Sequence, residues 1–287
     1  MRWTARRERF RTVLEGSDCV HPGSVFDPVS ARIAEDLGFE VGILAGSVAS
    51  FTVLGAPDLI VLTLSELSDQ AYRICRAGNL PLLVDADHGY GNALSVMRTV
   101  EELERAGVAA LSIEDTELPQ PFGSSAQRLL SLEEGVGKMR AALEARRDPN
   151  LVIAGRTSAP AMTNLDDTIA RCSAYAEAGV DAIFVVGLKS RSDLKALGEA
   201  VRLPLIVAPL GESISKEELG RMGVRISLQG HQPFAAGVAA VHATLKALRD
   251  GVPPGELQGI ASPALMKHVL REDEYARWSR EFLGGAG

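Results

Sequence analysis

Asp85-Ala86-Asp87 follows the apolar run Pro81 to Val84 and sets two carboxylates two residues apart. In an extended chain such residues project to the same side. Glu114 follows a second apolar run, Ala110 to Ile113, and adds a third acid. Oxygen donors of this kind suit a hard cation such as Mg²⁺, which takes one or two carboxylates directly and keeps several waters. The competing interpretation is a set of solvated loop acids. Arg156 follows the run Leu151 to Ala154. Its guanidinium could grip a carboxylate or phosphate through two parallel bonds, or pair with Glu114 or Asp85. Ser47, between Gly46 and Val48, offers a hydroxyl and a backbone N–H to an anionic substrate, or it simply makes a turn. His231 follows Gln229-Gly230, and His88 follows the acid pair. Either ring could donate to a substrate oxygen, and spacing does not rank them. Asp58, in Ala56-Pro57-Asp58, is a further site acid or an ordinary turn residue.

These residues need a scaffold that brings run ends together. Eight short apolar runs alternate with helix-period stretches: 23–26, 41–44, 81–84, 110–113, 151–154, 182–186, 205–208 and 224–228. Near-continuous apolar character marks parallel strands buried on both faces. Helical stretches between them include Val96 to Arg105 and Leu132 to Ala145. The expected fold class is therefore α/β, a (β/α)₈ TIM-type barrel, whose active site lies at the C-terminal strand ends. Asp27, Ser47, Asp85 to His88, Glu114-Asp115, Arg156-Thr157 and His231 all fall on that one rim. Even-numbered runs follow a helix-ending glycine (Gly38, Gly107, Gly179, Gly223), and the third, fifth and seventh enter through Pro81, Pro149 and Pro204. The alternation suggests a repeated two-strand unit. An open doubly wound sheet would need a glycine-rich phosphate turn; Gly42-Ile43-Leu44-Ala45-Gly46 does not supply one.

The 287 residues suit one barrel domain over about 20–250 and a helical extension over about 251–287. The extension begins at the breaker cluster Gly251 to Gly255, with helices expected near Ala264 to Leu270 and Glu272 to Phe282. Tyr275, Trp278 and Phe282 recur at helical spacing and should pack on this barrel or on a neighbouring subunit, the subunit contact being favoured. Apolar residues at 46% exclude disorder, and a net charge of −7 argues against nucleic acid or an anionic membrane as partner. Cys19, Cys75 and Cys172 stand too far apart for a metal cluster and read as reduced thiols. The basic start Met1 to Arg7 has no apolar stretch after it, so no signal peptide is expected and the chain reads as cytoplasmic.

Asp85-Ala86-Asp87-His88-Gly89-Tyr90-Gly91, with Gly46-Ser47-Val48, Ser112-Ile113-Glu114-Asp115 and Gly155-Arg156-Thr157, resembles the phosphoenolpyruvate mutase/isocitrate lyase superfamily over about residues 20–250. Asp27-Pro28-Val29-Ser30-Ala31-Arg32, Leu94 to Thr99 and Gly230-His231 are most similar to its oxaloacetate decarboxylase subgroup. The resemblance implies a homo-oligomer, a dimer or tetramer, whose C-terminal helix is exchanged between subunits. It implies Mg²⁺, or Mn²⁺ in its place, held directly by Asp85 and through water by Asp87 and Glu114. Substrate contacts fall to Ser47, Arg156 and His231, with Arg156 and His231 as the catalytic pair. The activity implied is decarboxylation of oxaloacetate to pyruvate and CO₂ through a stabilised enolate. The C–C lyases of the superfamily carry a cysteine general acid after the fourth strand, and Gln120 to Ala126 contains none. Three departures touch the pocket wall: Ser158 after Arg-Thr, Leu210 where a tyrosine is usual, and Gln229 before Gly-His. Leu210 in particular would leave room for an apolar substituent. The alternatives are a lyase or hydrolase of a related diacid (2-methylisocitrate-like, a substituted malate or phosphonopyruvate) and a barrel that binds an oxoacid without turnover.

Overall fold

Eight strands appear where the apolar runs stand: β1 (Gly23–Ser24), β2 (Gly42–Leu44), β3 (Leu82–Asp85), β4 (Ala110–Glu114), β5 (Val152–Thr157), β6 (Ala182–Val185), β7 (Leu205–Val207) and β8 (Val224–Ser227). They belong to a computed structural model that describes residues 3–124 and 126–284. Met1 and Arg2 of the basic start, Ser125 of the 120–127 loop and residues 285–287 lie outside the described residues. All neighbouring strands are parallel and follow chain order, forming one α/β sheet curled in a TIM-like manner. Val20, just before β1, bridges Ile226 of β8 in parallel. The Val20 N–H donates to Arg225 O at 2.9 Å and the Ser227 N–H to Val20 O at 3.0 Å, joining the sheet's first and last edges.

Strand parity sorts the core into two clusters. Ile43, Leu83, Ala110, Val152, Ala154, Ala182, Phe184, Ile206 and Ile226 pack together inside the curl, with Phe10 and Leu14 of the helix Thr4–Glu15 among them. Their neighbours Leu44, Val84, Leu111, Ile153, Ile183 and Val207 pack against the helical layer. A period of two then settles the ends of β3, β4 and β5, whereas β8 shifts register between Val224 and Ile226. Asp85, Glu114 and Arg156 continue the inner set, whereas Asp115 and Thr157 continue the outer one. Helix-ending glycines do the work expected of them: Gly38, Gly107, Gly179 and Gly223 all take φ between 82° and 102°.

The chain divides into two compact units, 1–231 and 232–287. The second holds helices Gln232–Arg249, Pro263–Leu270 and Glu272–Leu283. Tyr275 and Trp278 meet edge to face at 5.2 Å, and Tyr275, Trp278 and Phe282 remain exposed. Among the described residues no helix is long and apolar enough to cross a membrane.

Candidate active site

Backbone register brings the acids and the guanidinium together. Asp85 pairs with Ser112 across β3–β4, and Glu114 pairs with Arg156 across β4–β5. Arg156 Nη1 donates to Asp85 Oδ2, and Nη2 lies 3.4 Å from Glu114 Oε2. The Ser112 hydroxyl donates to Asp85 Oδ1 at 3.2 Å, and the Thr116 hydroxyl to Glu114 Oε2 at 3.1 Å. Phe184, the β6 partner of Arg156, places its ring 5.3 Å from the guanidinium carbon. Both expected roles of Arg156 are thus compatible: it is paired with acids and it faces the mouth.

A cavity of about 330 Å³ opens over these residues. Ser47, Asp58, Asp85, Asp87, Glu114, Arg156, Ser158 and His231 are among its polar groups, with Thr116, Gln120 and Gln127, and Val186, Ala208 and Leu228 line the side of the last three strands. Asp87 reaches it from a tight turn in which Asp87, Gly89, Tyr90 and Gly91 all have positive φ. Its carboxyl lies against Gly46, where an added Cβ would stand 2.4 Å from Asp87 Oδ1. Only glycine leaves room for that approach. Gly46 begins the helix Gly46–Leu54, so Ser47 presents its first turn to the same space.

Four carboxyls and one guanidinium line this cavity. Burial raises the Asp87 carboxyl well above the ordinary range, and Asp85, Glu114 and Asp58 push it further. Glu114 is raised by burial and by Asp85, with Arg156 opposing. Burial and Asp85 also raise Asp58. For Arg156, burial works against the charge, but Asp85 and Glu114 outweigh it and hold the proton more tightly. Such a surplus of oxygen donors over positive charge suits a divalent cation, which would favour the ionised acids. Among the described residues no three His, Cys, Asp or Glu side chains group closely enough to hold one ion.

Geometry separates the two histidines. His231 lines the cavity, and its Nδ1 is 2.9 Å from the Ser24 hydroxyl. Burial lowers its pKa, with Asp85 opposing. His88 is buried away from the cavity, and its Nδ1 has no hydrogen-bond partner among the described residues. Burial and the Lys138 ammonium push its pKa down to about 4; Lys138 donates to the His88 carbonyl at 2.8 Å. Asp27 leaves the rim altogether: it caps the helix Pro28–Asp36, its carboxylate accepting from the Ser30 N–H at 2.6 Å. Leu210 packs against the outer core and does not line the cavity, while Ala208 and Leu228 do. Gln229 is exposed. Asp58 lines the cavity.

Asp115 also faces away from the mouth. It is fully buried, and its Oδ2 accepts from Thr157 at 3.0 Å, Arg171 at 3.0 Å and Tyr175 at 2.6 Å. The network ties the ends of β4 and β5 to the helix Leu165–Ala178, directly behind Glu114 and Arg156. Its signal in the sequence was parity: one step beyond an inward Glu114, the next acid must face the helices.

The phosphoenolpyruvate phosphomutase family model matches residues 10–249. An oxaloacetate decarboxylase of Bradyrhizobium diazoefficiens is 55% identical over 285 residues, covering 99% of each chain. Among solved structures, an oxaloacetate acetylhydrolase bound to the inhibitor 3,3-difluorooxalacetate superposes with a TM-score of 0.87, at 29% identity and 99% coverage of both chains. A phosphonopyruvate hydrolase solved with oxalate and Mg²⁺ gives 0.85, at 26% identity, covering 97% of this chain and 99% of that one.

Proposed function

The chain belongs to the phosphoenolpyruvate phosphomutase family, within the PEP mutase/isocitrate lyase superfamily, and from that membership we propose that it is an oxaloacetate decarboxylase. It is a carboxy-lyase that splits oxaloacetate into pyruvate and CO₂. The observation that carries this reading is the full-length 55% identity to an oxaloacetate decarboxylase. The cavity agrees with it: among the described residues no thiol lines it, and Cys19, Cys75 and Cys172 are all buried elsewhere. A C–C lyase using a cysteine acid would have no donor here.

Asp85, Asp87 and Glu114 are the groups that would hold Mg²⁺, or Mn²⁺, with Asp85 as direct ligand. When bound, the ion would supply Lewis-acid stabilisation of negative charge at the oxoacid end. Arg156 offers its fork to the C1 carboxylate, and Ser47 adds a hydroxyl and a backbone N–H at the start of its helix. Breaking the C3–C4 bond releases CO₂ and leaves its electron pair in the C2–C3 enolate, so charge grows on the C2 oxygen. His231, at the cavity wall, donates a hydrogen bond to that side. A solvent proton at C3 completes pyruvate. Val186, Ala208 and Leu228 give the departing carboxylate an apolar setting, which favours its conversion to neutral CO₂.

The exposed Tyr275, Trp278 and Phe282 support pairing of the C-terminal helices with a second copy of the chain, in a homo-oligomer with exchanged helices. Three buried free thiols suit a reducing cytoplasmic setting. The deciding assay is CO₂ release from oxaloacetate by purified protein with Mg²⁺. Turnover well above the metal-only background is expected, lost with EDTA and restored by Mg²⁺ or Mn²⁺. No excess over that background would refute the reading, and full activity in Asp85→Ala would refute the metal assignment.

A further inference from the structure

β1 is two residues long, and parity decides where its side chains point. A Cβ on Gly23 would meet Ala34 at 3.0 Å and Phe39 at 3.3 Å, so Gly23 faces the helical layer and Ser24 faces inward. Ser24 is buried, and its hydroxyl makes one hydrogen bond among the described residues, to His231 Nδ1 at 2.9 Å. His231 reaches it because the chain turns after β8 at Gly230, with φ of 81°. The Val20–Ile226 bridge has already brought β8 beside the first strand. Ser24 itself does not line the cavity; His231 does.

We infer that Ser24 is a positioning residue for His231: its hydroxyl donates to Nδ1, which fixes the neutral ring as the Nε2–H tautomer and aims that N–H into the cavity. A neutral imidazole carries one donor and one acceptor, so the partner of one nitrogen decides the other. A hydroxyl can satisfy Nδ1 in either role, and the reaction selects between them: a donor, not a lone pair, must face the oxygen on which charge grows, so the Ser24 hydroxyl donates to Nδ1. Without Ser24 the ring would share its proton between the two nitrogens and could rotate away. The inference rests on His231 being the substrate-facing donor of the proposed decarboxylation.

The test uses the full chain with Mg²⁺ and oxaloacetate. Ser24→Ala should lower kcat roughly tenfold, the loss of one well-aimed hydrogen bond, with KM changed much less. Ser24→Thr, which keeps the hydroxyl, should restore most of the rate. In a His231→Ala background, Ser24→Ala should cost nothing further. Histidine ¹⁵N shifts should show Nε2–H in the native protein and a mixture in Ser24→Ala. A native ring protonated on Nδ1 would overturn the inference even where no variant folds. So would losses that multiply in the double variant. An impaired His231→Ala beside an unaffected Ser24→Ala would overturn this inference alone, whereas an unimpaired His231→Ala would overturn the site reading beneath it.

Discussion

Tyr175→Phe removes one oxygen from a place where nothing can replace it. The ring is fully buried, and its hydroxyl donates to Asp115 Oδ2 at 2.6 Å. A hydrogen bond to a charged group contributes about 1.5–3 kcal/mol. Phenylalanine keeps the packing, and Thr157 and Arg171 still serve the carboxylate. A loss of about 2 kcal/mol is therefore expected. At about 2–4 °C per kcal/mol for a chain of this size class, the unfolding midpoint should fall by about 4–8 °C. Tyr72→Phe, at an exposed helical position, sets the background and should move the midpoint by less than about 1 °C. The measurement is thermal unfolding followed by circular dichroism at fixed protein and Mg²⁺ concentration, with CO₂ release per folded molecule measured alongside. Because Tyr175 does not line the cavity, turnover should stay near that of the native protein. A Tyr175→Phe midpoint no lower than that of Tyr72→Phe would refute the account of Asp115 as a charge held by its three donors. Lost turnover at an unchanged midpoint would show that the hydroxyl serves the chemistry instead.

Gly46→Ala should lower kcat/KM at least about tenfold with little change in unfolding midpoint, because the new methyl would displace the Asp87 carboxyl it lies 2.4 Å from. Asp148 is held below its ordinary 3.8: burial opposes this, but bonds from Arg7, the Asn150 N–H and Thr4 outweigh it. A depressed carboxylate contributes stability above pH 3.8 that is lost as pH falls through the lower folded value. The stability gap between native protein and Asp148→Asn in urea should accordingly be large at neutral pH and narrow below about pH 4. Leu228→Lys would put a cation in the apolar half of the cavity and hold the carboxylate due to leave, so both kcat and KM should fall in steady-state assays. Trp278→Ser combined with Phe282→Ser should reduce the particle mass measured by light scattering, as expected if these exposed rings pack on a second copy.

The eight strands were legible because each is buried on both faces and so reads as a short apolar run. That Asp85, Glu114 and Arg156 meet at one cavity was legible because inward parity carries all three onto one rim. Contacts that depend on turn geometry were hidden. Nothing in residue types sends His88 inside and His231 to the mouth; that choice is made by positive φ at Asp87 in one turn and at Gly230 in the other. Asp27 looked like a rim acid, yet it is followed by Pro28 and, three residues on, by Ser30, and it spends its carboxylate on a capping box. Leu210 illustrates the opposite error. A substitution in a loop suggests a changed pocket, but the wall there is built by Ala208 and Leu228, whose parity could have been counted from Ile206 and Ile226.

At the mouth the inner parity of β2 to β5 ends in charged or hydroxyl groups, whereas that of β6 to β8 ends in Val186, Ala208 and Leu228, with His231 just beyond. A reaction that moved charge from one substrate end to another of equal polarity would gain nothing from this. Loss of CO₂ does the reverse. It removes an anion from one end and accumulates charge at the other, so the two halves act in the same direction. The acids cannot stabilise the new charge by themselves, since they share its sign, and the single positive charge of Arg156 is already offset by Asp85 and Glu114, although its remaining N–H groups can still bind a carboxylate. On the proposed reading, a divalent ion held by Asp85 would turn this acidic mouth into one complementary to an oxoacid dianion, and His231 would turn its N–H toward the same space.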